Sequence, residues 1–221
     1  MLTLTVNGRA VEVASGKLTL PRVGVWHAER LVVDLDAVPS GAITATLSEV
    51  DMPAHIQRAE LIRGMVQMRI VGGAGGLGLV ARPKHYRNTT VGHVARDLLT
   101  DVRETLSTAS PTETLNKPLS YWTSLRLPTG ALMQALCDTV GASWRVWHNG
   151  TVWIGQETWP ACPADVRVIE ADASSAHQVV GTDSQGIWPG TTLAGRRVDL
   201  VVHEIDPEKP RSLVWFAEGH A

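Results

Sequence analysis

The stretch GGAGGLG at residues 72–78 carries a G-x-G-x-x-G spacing at Gly73, Gly75 and Gly78, and Asp97 follows roughly twenty residues later. In a dinucleotide-binding unit such glycines let the backbone approach a pyrophosphate, a helix N-terminus receives it, and the acidic residue holds a ribose. That chemistry requires a helix to begin at the glycines. Here LGLVAR (77–82) continues with strand character, Pro83 follows, and no alternating βαβ pattern surrounds the segment. The glycines therefore read as a flexible hairpin loop between strands.

The remaining reactive side chains are scattered. Histidines occur at 27, 55, 85, 93, 148, 177, 203 and 220, with no H-E-x-x-H or comparable pair. His203 and Glu204 are neighbours on a strand-like segment, where successive side chains point to opposite faces. Asp34 and Asp36 share a face if VVDLD is extended, but paired carboxylates do acid–base work only at a set separation in a cleft. Cys137 and Cys162 are too few for a four-cysteine zinc site, and no spacing supports a bridge. Cys137 sits on an apolar helical stripe, which suits a small core residue. No G-x-S-x-G elbow is present. The expectation is a protein without cofactor or metal and without enzymatic activity.

Tryptophan is the exception to this scatter. The chain has eight Trp against two Tyr and one Phe, and RVWHNGTVWIGQETW (145–159) concentrates them. Trp144, Trp147, Trp153 and Trp159 could form a sugar platform, a core or a contact surface for another protein. Asn149-Gly150 suggests a two-residue type I′ hairpin turn. That register sets Val146 opposite Trp153 and Trp147 opposite Val152, so both hairpin faces come out apolar. One face can pack on the preceding helix, and the other needs a second cover.

The elements that must position these residues are mostly strands. LTLTV and RAVEV flank Asn7-Gly8, a hairpin with Leu4 opposite Val11 and Thr3 opposite Glu12. KLTLPRVGVW, ERLVVDL, AITATLSEV and residues 59–71, either one bent strand or two strands with Gly64 at the bend, continue the β pattern. Residues 1–84 thus form a barrel-like or sandwich-like domain. The period then changes. Thr90 caps a helix with Val91, Val94, Leu98, Val102 and Leu106 on one stripe. Residues 107–120 form a polar connection. A second helix follows Pro128, with Thr129 as its cap and Gly141 as its stop. Residues 85–142 are therefore a helical connecting segment. RVIEA, HQVVG, RRVDLVVHEI and RSLVWFAE restore the β pattern, with a DPEKP turn, in a C-terminal β-rich domain at 143–221. The fold class expected is mainly β with two helices.

Of the 221 residues, 44% are hydrophobic and 19% charged, and the net charge is -2. This balance excludes wholesale disorder and nucleic-acid binding by bulk positive charge. Apolar runs stop well short of the roughly 20 residues of a membrane helix, so no stable membrane insertion is expected. The N-terminus lacks a signal-peptide pattern.

Three stretches together resemble one family. TVGHVARDLL (90–99), ALMQALCDTVGASWRVWHNGTVWIG (131–155) and PGTTLAGRRVDLVVHEIDPEKPRSLVWF (189–216) are similar to the helix after the first barrel, the helix-then-hairpin unit and the closing strands of baseplate or tail-tip hub proteins of tailed bacteriophages, the late control protein D-like hubs. The resemblance implies tail-tube-like antiparallel β-barrels linked by a helical segment. It implies a virion structural protein at the tail tip or baseplate, made in the bacterial host cytoplasm. A homotrimer would form a ring joining the tail tube to a central spike or fibre, with distal tail proteins as neighbours and DNA passing through. In that setting Trp144, Trp147, Trp153 and Trp159 are the candidate interface. Gly73, Gly75, Gly76 and Gly78 are a candidate contact loop ordered by another component. A carbohydrate-binding module for host attachment is the alternative.

Overall fold

The computed structural model describes residues 2–162, 168–171, 177–180, 187–206, 208 and 211–217. Its first part is a closed six-stranded antiparallel barrel of β1 (Leu2–Val6), β2 (Arg9–Pro21), β3 (His27–Val33), β4 (Ala42–Leu47), β5 (Val50–Ile62) and β6 (Met65–Gly72). Hydrogen bonding runs β1-β4-β5-β6-β3-β2, and β2 closes the circle onto β1. The Asn7-Gly8 turn has the register expected of it, with Leu4 on Val11 and Thr3 on Glu12, and both turn residues have positive φ. Alternation does the rest: Leu2, Leu4, Leu18, Leu31, Met52 and Ile70 point inward and are fully buried. Arg63 and Gly64, both at positive φ, make the bend after residue 59 a true hairpin turn between β5 and β6.

The middle part holds β7 (His85–Thr90), α1 (Val91–Asp101), α2 (Thr112–Leu115), β8 (Pro118–Thr123) and α3 (Thr129–Val140). Thr90 caps α1, its hydroxyl accepting from the His93 N–H at 3.3 Å. Gly141, at φ 63°, ends α3 as expected. Two expectations are corrected. The stretch 107–120 contains a third, one-turn helix and the start of a strand, because β8 pairs antiparallel with β7 and buries Leu119 and Trp122. Thr129 does not cap α3. Pro128 occupies the cap position, and the Thr129 hydroxyl instead donates to the Leu79 carbonyl at 2.8 Å.

The last part holds β9 (Ser143–Val146), β10 (Val152–Gly155), β11 (Val168–Ala171), β12 (His177–Val180), β13 (Thr192–Leu193), β14 (Arg196–Ile205) and β15 (Arg211–Phe216). The first two form a separate hairpin beside α3. β14 pairs with β2, and β15, β12 and β11 follow in order, so these strands extend the barrel's own hydrogen bonding. β2 serves both: its first half pairs with β1 and its second half, Gly16–Pro21, with β14. The predicted DPEKP turn lies partly outside the described residues, as do His220 and the side chain of His177.

Candidate functional site

The tryptophan hairpin differs from its expected geometry by one residue. β9 and β10 pair Val146 with Val152, Arg145 with Trp153 and Trp144 with Ile154. The cause is the loop. Asn149 turns its side chain onto the Thr151 N–H (3.1 Å) and hydroxyl (2.7 Å), and the Trp147 carbonyl accepts from Gly150 N–H at 2.9 Å. Only Gly150 takes positive φ, so the loop has three residues rather than two. A one-residue slip exchanges the faces of one strand relative to the other.

The hairpin is therefore not apolar on both sides. One face carries Trp144, Val146, Val152 and Ile154, all buried. Trp144 packs toward α3 and donates its indole N–H to Gln134 at 3.1 Å. The other face carries Arg145 and Trp153, with Trp147 alongside. Arg145 is only 7% exposed. Its guanidinium lies 4.8 Å from the Trp147 ring centre and 4.6 Å from that of Trp153. Glu157 accepts from both terminal nitrogens, at 2.5 and 3.0 Å, and the Arg22 carbonyl accepts a further bond at 3.2 Å.

This cluster is a junction. Arg22 lies just beyond β2, and its side chain donates to Asp199 of β14 (2.7 Å) and to Ser143 of β9 (3.1 Å). Gly24 exchanges backbone bonds with Trp144 and Val146, both at 2.9 Å. Gly190 passes so close that a Cβ there would meet the Glu157 carboxylate at 2.7 Å. Trp147, His148 and Trp188 continue the aromatic wall, with ring centres 5.3 and 6.0 Å apart. With Pro111, Pro160 and Pro189 they line a cavity of about 550 Å³. Burial of part of the ring lowers the His148 pKa.

The structure thus brings Trp147 and Trp153 together around Arg145 and puts Trp144 on the opposite face. Trp159 is half-buried, at φ 53°, and lies against Arg22 and Arg197 with ring-centre distances of 5.6 and 5.1 Å. Sequence reasoning missed Arg145 and Glu157. Arg145 stands two residues before Trp147 and twelve before Glu157, and that spacing carries no signal until the hairpin register is known.

The glycine loop is likewise held from within. Glu104, buried just after α1, accepts from the N–H groups of Ala74 (3.1 Å) and Gly76 (2.7 Å). Burial raises the Glu104 pKa, and these donors oppose the rise. A protein carboxylate thus fills the place that a phosphate would take in a glycine nest. Gly73 and Gly75 have positive φ, and Gly76 lies where a Cβ would fall 1.9 Å from the Val102 carbonyl. Gly78 is exposed, with open space where a Cβ would be. The loop ends in a single 3₁₀ turn, Gly76–Gly78, and an irregular connection follows it rather than the expected strand at 77–82. Asp97 does not approach the loop's glycines through any of its bonds. It accepts from Lys84 (2.8 Å) and Tyr86 (2.7 Å). Burial works against its charge, but these donors prevail and its pKa is lowered.

Asp34 and Asp36 are exposed beyond the end of β3. Cys137 is buried in α3, and burial pushes its thiol up to about 12. Among the described residues no three His, Cys, Asp or Glu side chains come together as a metal site. His203 and Ser212 form a buried cross-strand pair at 2.8 Å where β14 pairs with β15.

No protein-family model matches the chain, and no curated protein matches it by sequence. Solved structures do match. The 43 kDa tail protein of prophage MuSo2 from Shewanella oneidensis superposes with a TM-score of 0.77 at 8% identity, over 98% of this chain and 97% of that one. The chain has the fold of a phage tail protein. A tail protein from Neisseria meningitidis matches at TM-score 0.69 and 11% identity, over 99% and 96% of the two chains. An Escherichia coli type VI secretion component, described as structurally similar to T4 tail proteins gp27 and gp5, matches at 0.72 and 10%, over 99% and 77%.

Proposed function

We propose that this chain is a non-enzymatic structural component of a phage tail tip or baseplate. It forms a homotrimeric ring that joins the tail tube to a central spike or fibre and lets DNA pass. Distal tail and tube proteins are its neighbours. The end-to-end likeness to the MuSo2 tail protein carries this reading, because it spans the barrel, the helices and the closing strands together. In this scheme residues 1–84 supply the first barrel and 85–142 the helical link. Residues 143–221 supply the second β-rich part, joined to the first along the β2–β14 seam.

The geometry of Arg145 supports a structural rather than a sugar-binding role. Trp147 and Trp153 each have a ring face taken up by the guanidinium. Native mass measurement of the purified chain, alone and with its neighbouring tail proteins, tests the proposal. A closed trimer is expected. A chain that stays monomeric with those partners, yet is retained on host polysaccharide and released by Trp147→Ala, would support the attachment module instead.

A further inference from the structure

The dipeptide Asn-Gly occurs twice in the chain, at 7–8 and at 149–150. An asparagine amide in this setting is open to attack by the next backbone nitrogen, because glycine has no side chain to shield that nitrogen or to restrict its rotation. Both asparagines are exposed, so access to water does not separate them. Their bonding does.

Asn149 is held in place. Its amide oxygen accepts from the Thr151 N–H at 3.1 Å and from the Thr151 hydroxyl at 2.7 Å. The nitrogen that would attack it, on Gly150, donates to the Trp147 carbonyl at 2.9 Å. Gly150 also lies against the barrel, where a Cβ would sit 3.0 Å from Pro53. Closing a ring at this position breaks three hydrogen bonds and disturbs that packing.

Asn7 has none of these restraints. Gly8 is exposed as well, with open space where a Cβ would be. Among the described residues no hydrogen bond engages the Asn7 side chain or the Gly8 N–H. The turn keeps Asn7 at φ 51° and Gly8 at φ 79°, the left-handed region that asparagine tolerates and glycine adopts freely. Ring closure requires Asn7 to rotate out of that geometry, and the nearest pairing this disturbs is the last one of the hairpin, Val6 with Arg9.

We propose that Asn7 is a site of spontaneous deamidation and that the fold protects Asn149 from the same reaction. The Gly8 nitrogen loses its proton to hydroxide and bonds to the side-chain carbonyl carbon of Asn7. The bond from that carbon to the amide nitrogen breaks, and the nitrogen takes up a proton from water and leaves as ammonia. Water then opens the cyclic imide at either of its carbonyls, which gives aspartate or isoaspartate. No oxidant or reductant takes part. Isoaspartate lengthens the main chain inside the turn that sets Leu4 on Val11 and Thr3 on Glu12. Either product places a carboxylate in the wall of a cleft that Arg103 also lines. The reaction is intrinsic to the chain and does not depend on the tail reading.

Incubation of the purified full chain at mildly alkaline pH, followed by digestion and peptide mass spectrometry, tests the proposal. The peptide carrying Asn7 is expected to show the mass gain of amide-to-acid conversion, and isoaspartate-specific methylation, at a rate about tenfold or more above that of the peptide carrying Asn149. In the chain unfolded by urea the two should convert at comparable rates, because the dipeptide is the same. Equal conversion in the folded chain, faster conversion at Asn149, or an Asn7 that stays intact while the unfolded chain reacts would overturn the proposal. A gap of the same size in urea would also overturn it, since the difference would then come from neighbouring residues and not from the fold.

Discussion

Arg145 and Glu157 show how a side chain can occupy the aromatic surface that its own sequence advertises. Both are more than nine-tenths buried as side chains, so neither charge tolerates loss of the other. Arg145→Leu is expected to lower unfolding stability by about 3–5 kcal/mol in a urea titration, because it strands the Glu157 carboxylate. Adding Glu157→Leu should recover a large part of that loss; a single variant within about 1 kcal/mol of wild type would contradict the account. His203 makes a second prediction. Burial lowers its pKa to about 4, against 6.5 for the ordinary imidazole. The unfolded chain therefore takes up a proton at a higher pH than the folded one, and stability falls as pH drops from about 6.5 to about 4. The loss should approach ~3 kcal/mol and level off below the folded value. His203→Gln should remove that slope; a variant with the wild-type pH profile would show that the slope arises elsewhere. None of this was legible from residue types alone, because a charge next to tryptophans signals nothing until the register is known.

At the scale of elements, the barrel hairpins, α1 with its Thr90 cap, and α3 with its Gly141 stop were legible because turn chemistry and period agreed. The Trp hairpin was misread at its turn. Asn-Gly fits a two-residue loop at residues 7–8, but at 149–150 the Asn149 side chain bonds to Thr151 and adds a loop residue. Local competition of that kind decides register, and register decides which side chains share a face. β8 escaped notice for a different reason: its cover comes from β7, more than twenty-five residues away in the chain. The glycine loop was legible as a loop, but its anchor, Glu104, is equally distant in sequence and buried where an acid is not expected. Gly76→Ala should destabilise the protein by roughly 1–3 kcal/mol or more, since its Cβ meets the Val102 carbonyl, while Gly78→Ala should be near neutral. Thermal unfolding of the two variants compares them directly, and equal effects would contradict the close-approach explanation.

At the scale of the whole molecule, the seam between β2 and β14 makes the closing strands a continuation of the first barrel. Arg22, which bonds to both Asp199 and Ser143, and the Gly24 backbone bonds to Trp144 and Val146 rivet the hairpin to that seam. The measurement that tests the central claim most directly is electron cryomicroscopy of particles carrying a labelled copy of this chain. The account predicts label at the tail tip, on the tail axis, in threefold-symmetric density between tube and spike. Label confined to peripheral fibres, or particles that assemble complete tails without the chain, would contradict it.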